Sequence, residues 1–226
     1  MRGAALSRGA AGMGGIVSSP RFGPLYLSGQ EIRLEPLEPH HASALAAASA
    51  VDPSLYQWSP VPQGIAAAAA YIENALTWQR AGTALPFAII RLRDEAVIGS
   101  TRFWNIEYWN WPQGHQRFGR ELPDACEIGY TWFTSSAIRT RANTEAKYLM
   151  LRHAFEEWGV LRVCLHTDVR NLRSQAAMER IGAKKEGVLR SHRMAADHTA
   201  RDSARYSIVA TEWQDVQLRL LRLLDR

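Results

Sequence analysis

Between residues 138 and 182 the apolar positions change period twice, which predicts a helix, a strand and a second helix. Met150, Leu151, Ala154, Phe155 and Trp158 recur at helical spacing, with Glu145, Arg152 and Glu156 assigned to the opposite side and Lys147 breaking the pattern. Asn143 is the expected cap, Glu145 sits in the first turn where the helix dipole favours a carboxylate, and Gly159 ends the helix. Leu161, Val163, Leu165 and Thr167 then alternate with Arg162, Cys164, His166 and Asp168, the period of a strand apolar enough to be central. The second helix opens at Asn171 and carries Ala177, Met178, Ile181 and Ser174 on one side. A hydroxyl on that apolar face needs the backbone or a ligand as partner.

Upstream, residues 31–38 alternate Ile32, Leu34 and Leu37 with polar neighbours as a first strand. A short alanine-rich helix over 41–51, with His40 and His41 at its start, leads through a proline-rich loop containing Trp58 to a helix over 65–80. The apolar positions of that helix are Ala69, Ile72, Ala75, Leu76 and Trp78. Strands over 85–92 and 96–104 are joined by an Arg93-Asp94-Glu95 turn, and another strand covers 126–133. Trp104, Tyr108, Trp109 and Trp111 fit neither period, so they either cover one edge of the sheet or wall a pocket. Residues 184–193 and 204–209 form a closing strand pair, and 212–226 an amphipathic helix whose leucines suit the body of the molecule or a second subunit as homodimer.

The order of strands and helices makes an α+β (mixed α/β) chain. Its 226 residues suit one domain over 25–226, preceded by a Gly-, Ala-, Ser- and Arg-rich segment over 1–24 that lacks acids and reads as a flexible extension. A net charge of +5 and a pI near 9.5 favour an anionic ligand without selecting one. Nucleic acid is not expected, because no basic stripe accompanies the charge. Cys126 and Cys164 stand apart and the seven histidines form no ligand spacing, so a cytoplasmic protein without disulfide framework or metal is expected. No apolar run is long enough to span a bilayer.

A basic loop feeding a helix start is a candidate phosphate cradle, since unpaired N–H groups and the dipole both favour an anion there. With EIGYTWF at Glu127 to Phe133, NTEA at Asn143 to Ala146, TDVRNLRSQAAMERIGAKKEGVLR at Thr167 to Arg190 and the opening IRLEPLEPHH, the chain resembles the GNAT N-acetyltransferase superfamily. The nearest branch is that of the ribosomal-protein N-terminal acetyltransferases. The resemblance implies a GNAT fold: a twisted, mostly antiparallel sheet of about seven strands, flanked by helices and splayed at the strand before the CoA loop. It implies acetyl-CoA as co-substrate and an amine acceptor, either a protein N-terminus or a small amine. Carried over residue by residue, Thr131, Trp132 and Phe133 hold the pantetheine arm. Arg139, Thr140, Arg141, Ala142, Asn143 and Thr144 hold the phosphates, and Asn171 and Ser174 contact the arm near the thiol. Glu127 is the expected base, against an equal reading as a strand carboxylate paired with arginine. Ser174 is the expected acid at the leaving sulfur, with Tyr206 as substitute. The family's loop usually reads Gln/Arg-Gly-x-Gly-x-Ala, whereas this chain has Ile138, Arg139 and Arg141 where Gln/Arg and the two glycines fall. Glycines admit positive φ cheaply and arginines do not, so guanidinium groups are expected to replace backbone approach. That departure keeps a second reading open, a GNAT-fold acyl-CoA-binding protein without catalysis.

Overall fold

A computed structural model describes residues 23–225, so all but the last two residues of the expected extension lie outside it. Eight strands form one sheet: β1 (Leu27–Ser28), β2 (Ile32–Pro36), β3 (Ala84–Arg91), β4 (Ala96–Glu107), β5 (Ala125–Phe133), β6 (Arg162–Asp168), β7 (Lys184–Met194) and β8 (Ala200–Val209). Their order is β1-β2-β3-β4-β5-β6-β8-β7. Every neighbouring pair is antiparallel except β5 and β6. The eighth strand, beyond the expected seven, is the two-residue β1, too short to leave a periodic signal.

Both faces of this sheet are covered. In β3 the period of two sends Phe87 and Ile89 to one core and Ala88 and Ile90 to the other. The first core lies under α3 (Ala142–Arg152) and α5 (Trp213–Leu224), with Leu149, Met150, Leu151, Val216 and Leu220 buried. Below α3 the chain makes a π-helical turn over His153–Glu157, and Phe155 stacks on Trp213 at 5.3 Å. The tail helix therefore packs on the body, although Leu218 and Leu221 stay exposed. The second core lies under α1 (Ala42–Ala50) and α2 (Ile65–Arg80), where Ala68 rather than Ala69 joins Ile72 and Ala75.

Glu145 does not face solvent as its spacing suggested. Its carboxylate is buried and accepts the backbone N–H groups of Gln30 at 2.6 Å, Glu31 at 2.9 Å and Ile32 at 2.9 Å. This ties the turn between β1 and β2 to α3, and Gly29 is needed beside it, because a Cβ there would meet Glu145 Cδ at 2.3 Å. Charge-assisted hydrogen bonds each contribute about 1.5–3 kcal/mol, and a buried donor left facing an amide NH2 costs as much. Glu145→Gln is therefore expected to lower unfolding free energy by about 2–3 kcal/mol in a urea titration. A change within about 0.5 kcal/mol would mean that water replaces the carboxylate.

The aromatic stretch after β4 covers sheet and loop. Trp104 packs edge-on against Trp78 at 4.5 Å, and Trp111 stacks on His115 at 4.1 Å. Buried Asp124 gathers Trp109 N at 2.8 Å, Trp111 Nε1 at 2.9 Å and Arg117 at 3.1 Å.

Candidate active site

Strands β5 and β6 are paired only at Ala125–Arg162, Cys126–Val163 and Glu127–Cys164. Beyond Glu127, β5 stays with β4 and β6 stays with β8, so the two part and leave a cleft of about 560 Å³. The register between β4 and β5 slips between Ser100 and Arg102, and Tyr130 takes a positive φ of 53°. That bulge turns β5 away from β6. Thr131, Trp132 and Phe133 line the opening with their β6-side edge unpaired by any strand among the described residues. One acceptor there is already used, since Tyr56 donates its hydroxyl to the Phe133 carbonyl at 3.0 Å.

At one end the loop 138–141 enters α3. Thr140 staples it, donating to the Ala137 carbonyl at 2.8 Å and accepting the Ala142 N–H at 3.2 Å. This side chain does the capping, and Asn143 falls inside the first turn instead of at the cap. The N–H groups of Asn143 and Thr144 then have no intrahelical acceptor, by the geometry of any helix start. Arg139 has φ of 62°, so an arginine occupies the left-handed conformation that suits a glycine, and its residue lines the cleft. Arg141 does not join it. Its φ is −71° and its guanidinium turns to Glu31 at 3.6 Å, outside the cleft wall. Ala142 and Thr144 are buried, and the Thr144 hydroxyl is taken by Arg180 at 2.9 Å. The N–H groups of Asn143 and Thr144 with Arg139 and Arg180 thus fit a diphosphate, whereas the Ala142 N–H is already taken by Thr140 and the Thr144 hydroxyl by Arg180.

In the middle, α4 (Leu172–Arg180) starts at Asn171, whose Oδ1 accepts the Ser174 N–H at 3.0 Å. The cap leaves Asn171 Nδ2 without a partner among the described residues, and both Asn171 and Ser174 line the cleft. Opposite them stands a residue that its helical pattern flagged only as an irregularity. Lys147 is buried, lines the cleft and donates from Nζ to Thr131 Oγ1 at 2.8 Å. Burial without a carboxylate pushes its pKa down to about 7. A charged residue on the apolar face of an otherwise regular helix was the available signal.

At the far end, buried Glu127 lies 3.1 Å from His166 Nδ1 and 3.1 Å from Arg193 Nη2. The His166 contact is close enough for an ion pair, although its angle falls short of a hydrogen bond, and His166 Nε2 has no partner among the described residues. Burial raises the Glu127 pKa, but His166 and Arg193 outweigh it and hold the carboxyl below its usual range. The expected pairing of Glu127 with an arginine is present, and a carboxylate held below its usual range is a weaker base than an unpaired one. His166, passed over as the polar half of a strand alternation, lines the cleft beside it.

Tyr206 is removed from the chemistry. It is fully buried, donates to Glu179 Oε1 at 2.9 Å and Gln175 Oε1 at 3.2 Å, and is no part of the cleft wall. Burial and Glu179 push its pKa up to about 12, the wrong direction for a proton donor at neutral pH. The aromatics from Trp104 to Trp111 likewise stay off the wall, whereas Trp58, under the guanidinium of Arg170 at 4.1 Å, contributes to it.

Residues 31–184, two thirds of the chain, match the acetyltransferase (GNAT) domain family. The chain belongs to the GNAT acetyltransferase family. Among solved structures, a T. thermophilus protein assigned as an acetyltransferase is 33% identical with a TM-score of 0.74, over 90% of this chain and 98% of that one. A GCN5-related N-acetyltransferase from Brucella melitensis is 25% identical with a TM-score of 0.75, over 90% and 86%. RimJ of Mycobacterium smegmatis, solved with CoA-disulfide, shares the fold at 22% identity and a TM-score of 0.70, over 89% and 93%. No curated protein matches the chain. The splayed β5–β6 pair, the α3 start and the α4 start, which the sequence resemblance leads us to expect around acetyl-CoA, are all present in this chain. It departs in the arginine that adopts a glycine's backbone angle.

Proposed function

We propose that the chain is an acetyl-CoA-dependent N-acetyltransferase that moves the acetyl group to a primary amine, either a protein N-terminus or a small amine, by direct transfer within a ternary complex. The single observation that carries this is the Glu127–His166 pair at the closed end of a cleft whose other end is a helix start with free N–H groups. Acetyl-CoA supplies the activated acyl group as a thioester. Arg139, Arg180 and the N–H groups of Asn143 and Thr144 hold the diphosphate, and the edge at Thr131 to Phe133 with Asn171 Nδ2 orients the arm. His166 Nε2, backed by the Glu127 carboxylate, takes a proton from the acceptor ammonium, and the Ser174 hydroxyl serves the leaving sulfur. Holding both substrates in line supplies most of the remaining rate. Two buried free thiols, Cys126 and Cys164, support a reducing, cytoplasmic setting.

Thiol release from acetyl-CoA across an amine panel tests the reading. Turnover with at least one primary amine is expected. Tight CoA binding without turnover on any amine would favour the non-catalytic acyl-CoA-binding alternative. The two loop arginines are expected to separate: Arg139→Ala raises the acetyl-CoA Kd about tenfold, the scale of one charge-assisted hydrogen bond, while Arg141→Ala changes it less than about threefold. Isothermal titration reads both, and equal effects would return Arg141 to the phosphates.

A further inference from the structure

The acceptor end of the cleft is unusual for a site expected to receive a cation. Glu127 is the one carboxylate on the cleft wall among the described residues, and it is already met by His166 and Arg193 at 3.1 Å each. The nearby Asp168 is held by Arg170 through both of its oxygens, at 2.9 and 2.7 Å, and Asp197 accepts from Arg170 at 3.1 Å. An incoming amine therefore finds no free carboxylate to pair with.

Arg201 stands beside this cluster with the opposite need. It is the cross-strand partner of Arg193 in the β7–β8 pair, so both side chains leave the same face of the hairpin. Both line the cleft. Arg201 is half-buried, donates Nε to Ser203 Oγ at 3.0 Å, and has no carboxylate partner among the described residues. Burial, with Arg193 adding repulsion, disfavours its charge. A half-buried guanidinium with two unused donor nitrogens is stabilised by a planar anion that takes two parallel hydrogen bonds. A polycationic acceptor would instead meet two guanidinium groups at once.

Resting on the transferase reading above, we infer that the acceptor is a primary amine carrying a carboxylate a few bonds away, and that Arg201 is the residue that selects it. The guanidinium of Arg201 clamps the carboxylate while the amine turns toward His166. Polyamines and aminated sugars without an acid group are rejected at the same place.

Initial rates for matched acceptors test this with the full-length wild-type protein. One arm compares the tripeptides Ser-Asp-Ala, Ser-Asn-Ala and Ser-Lys-Ala as C-terminal amides, and the other compares 4-aminobutyrate with its amide, so that peptide and small-molecule sources of the same chemistry are told apart. We expect kcat/KM to be about tenfold or more higher for the acid than for its amide in at least one arm, the scale of a charge-assisted contact. The lysine peptide should be poorest. Arg201→Gln should bring the acid-to-amide ratio toward one, and Arg201→Lys should keep part of it. Should Arg201→Gln fail to fold, the acid preference of the wild type must still fall as salt rises from 50 to 500 mM, at the screening expected for a partly exposed pair. Acetylation with no acid preference, or with preference for the lysine peptide, overturns this inference and leaves the transferase reading standing. CoA binding without acetylation of any acceptor overturns both.

Discussion

His166→Ala is expected to lower kcat/KM for amine acetylation about a hundredfold or more at pH 7, the usual contribution of a positioned general base. The acceptor arrives protonated, because alkyl amines titrate near the lysine value, and attack on a thioester needs the neutral lone pair. His166 lines the cleft, its buried Nε2 has no partner among the described residues, and Glu127 at 3.1 Å from Nδ1 would steady a charge formed on the ring. Glu127→Gln should therefore act through His166 and cost a comparable but smaller factor. The deciding readout is the pH profile. Raising pH toward 9.5 supplies free amine without a base, so the deficit of His166→Ala should shrink with pH while the acetyl-CoA Kd stays unchanged. A rate within about threefold of wild type at pH 7, far short of the hundredfold scale, would remove the imidazole from proton transfer.

The elements whose period was unbroken were legible in the chain. The helix over Ile65–Arg80 has its expected bounds, and the strand–helix unit around β6 and α4, with Asn171 as cap, follows from alternation and capping chemistry alone. What local pattern could not give was the partner of each polar group. Glu145 and Lys147 both lie on α3, and helical spacing assigns them by face, yet one carboxylate binds three N–H groups more than a hundred residues earlier and the ammonium enters the splay between β5 and β6. Those are tertiary facts. Tyr206 shows the converse error: a strand tyrosine resembles an acid until its hydroxyl is found donating to Glu179 and Gln175. Arg141 and Arg139 differ by two positions and in nothing that composition reveals, but only the first meets a carboxylate at Glu31.

Lys147 should make the protein more stable as pH rises through the range where most proteins are flat. Its ammonium is buried with Thr131 Oγ1 as hydrogen-bond acceptor, and Thr131 shares a 2.8 Å hydroxyl contact with Thr101. With a folded pKa of about 7 against 10.5 for the ordinary side chain, the folded state binds fewer protons than the unfolded one across that window. Stability therefore increases with pH above about 7 and levels off near 10.5, with a slope approaching about 1.4 kcal/mol per pH unit. Below pH 7 the charge is carried in both states and its burial is a standing cost. Lys147→Met keeps the length and removes the titration, so it should be more stable than wild type at pH 7, and the gap should close by about 2 kcal/mol or more by pH 9.5. Urea titrations of both proteins at four pH values measure this, and the difference between them cancels every other group, Cys126 included. Parallel curves would mean that Nζ keeps its ordinary pKa through water in the cleft. The same titration bears on the site, because a neutral amine beside the β5 edge leaves the positive charge of the cleft to its arginines, Arg139 and Arg180 where phosphate is proposed to bind and Arg193 and Arg201 where the acceptor is proposed to bind, with Arg173 also on the wall.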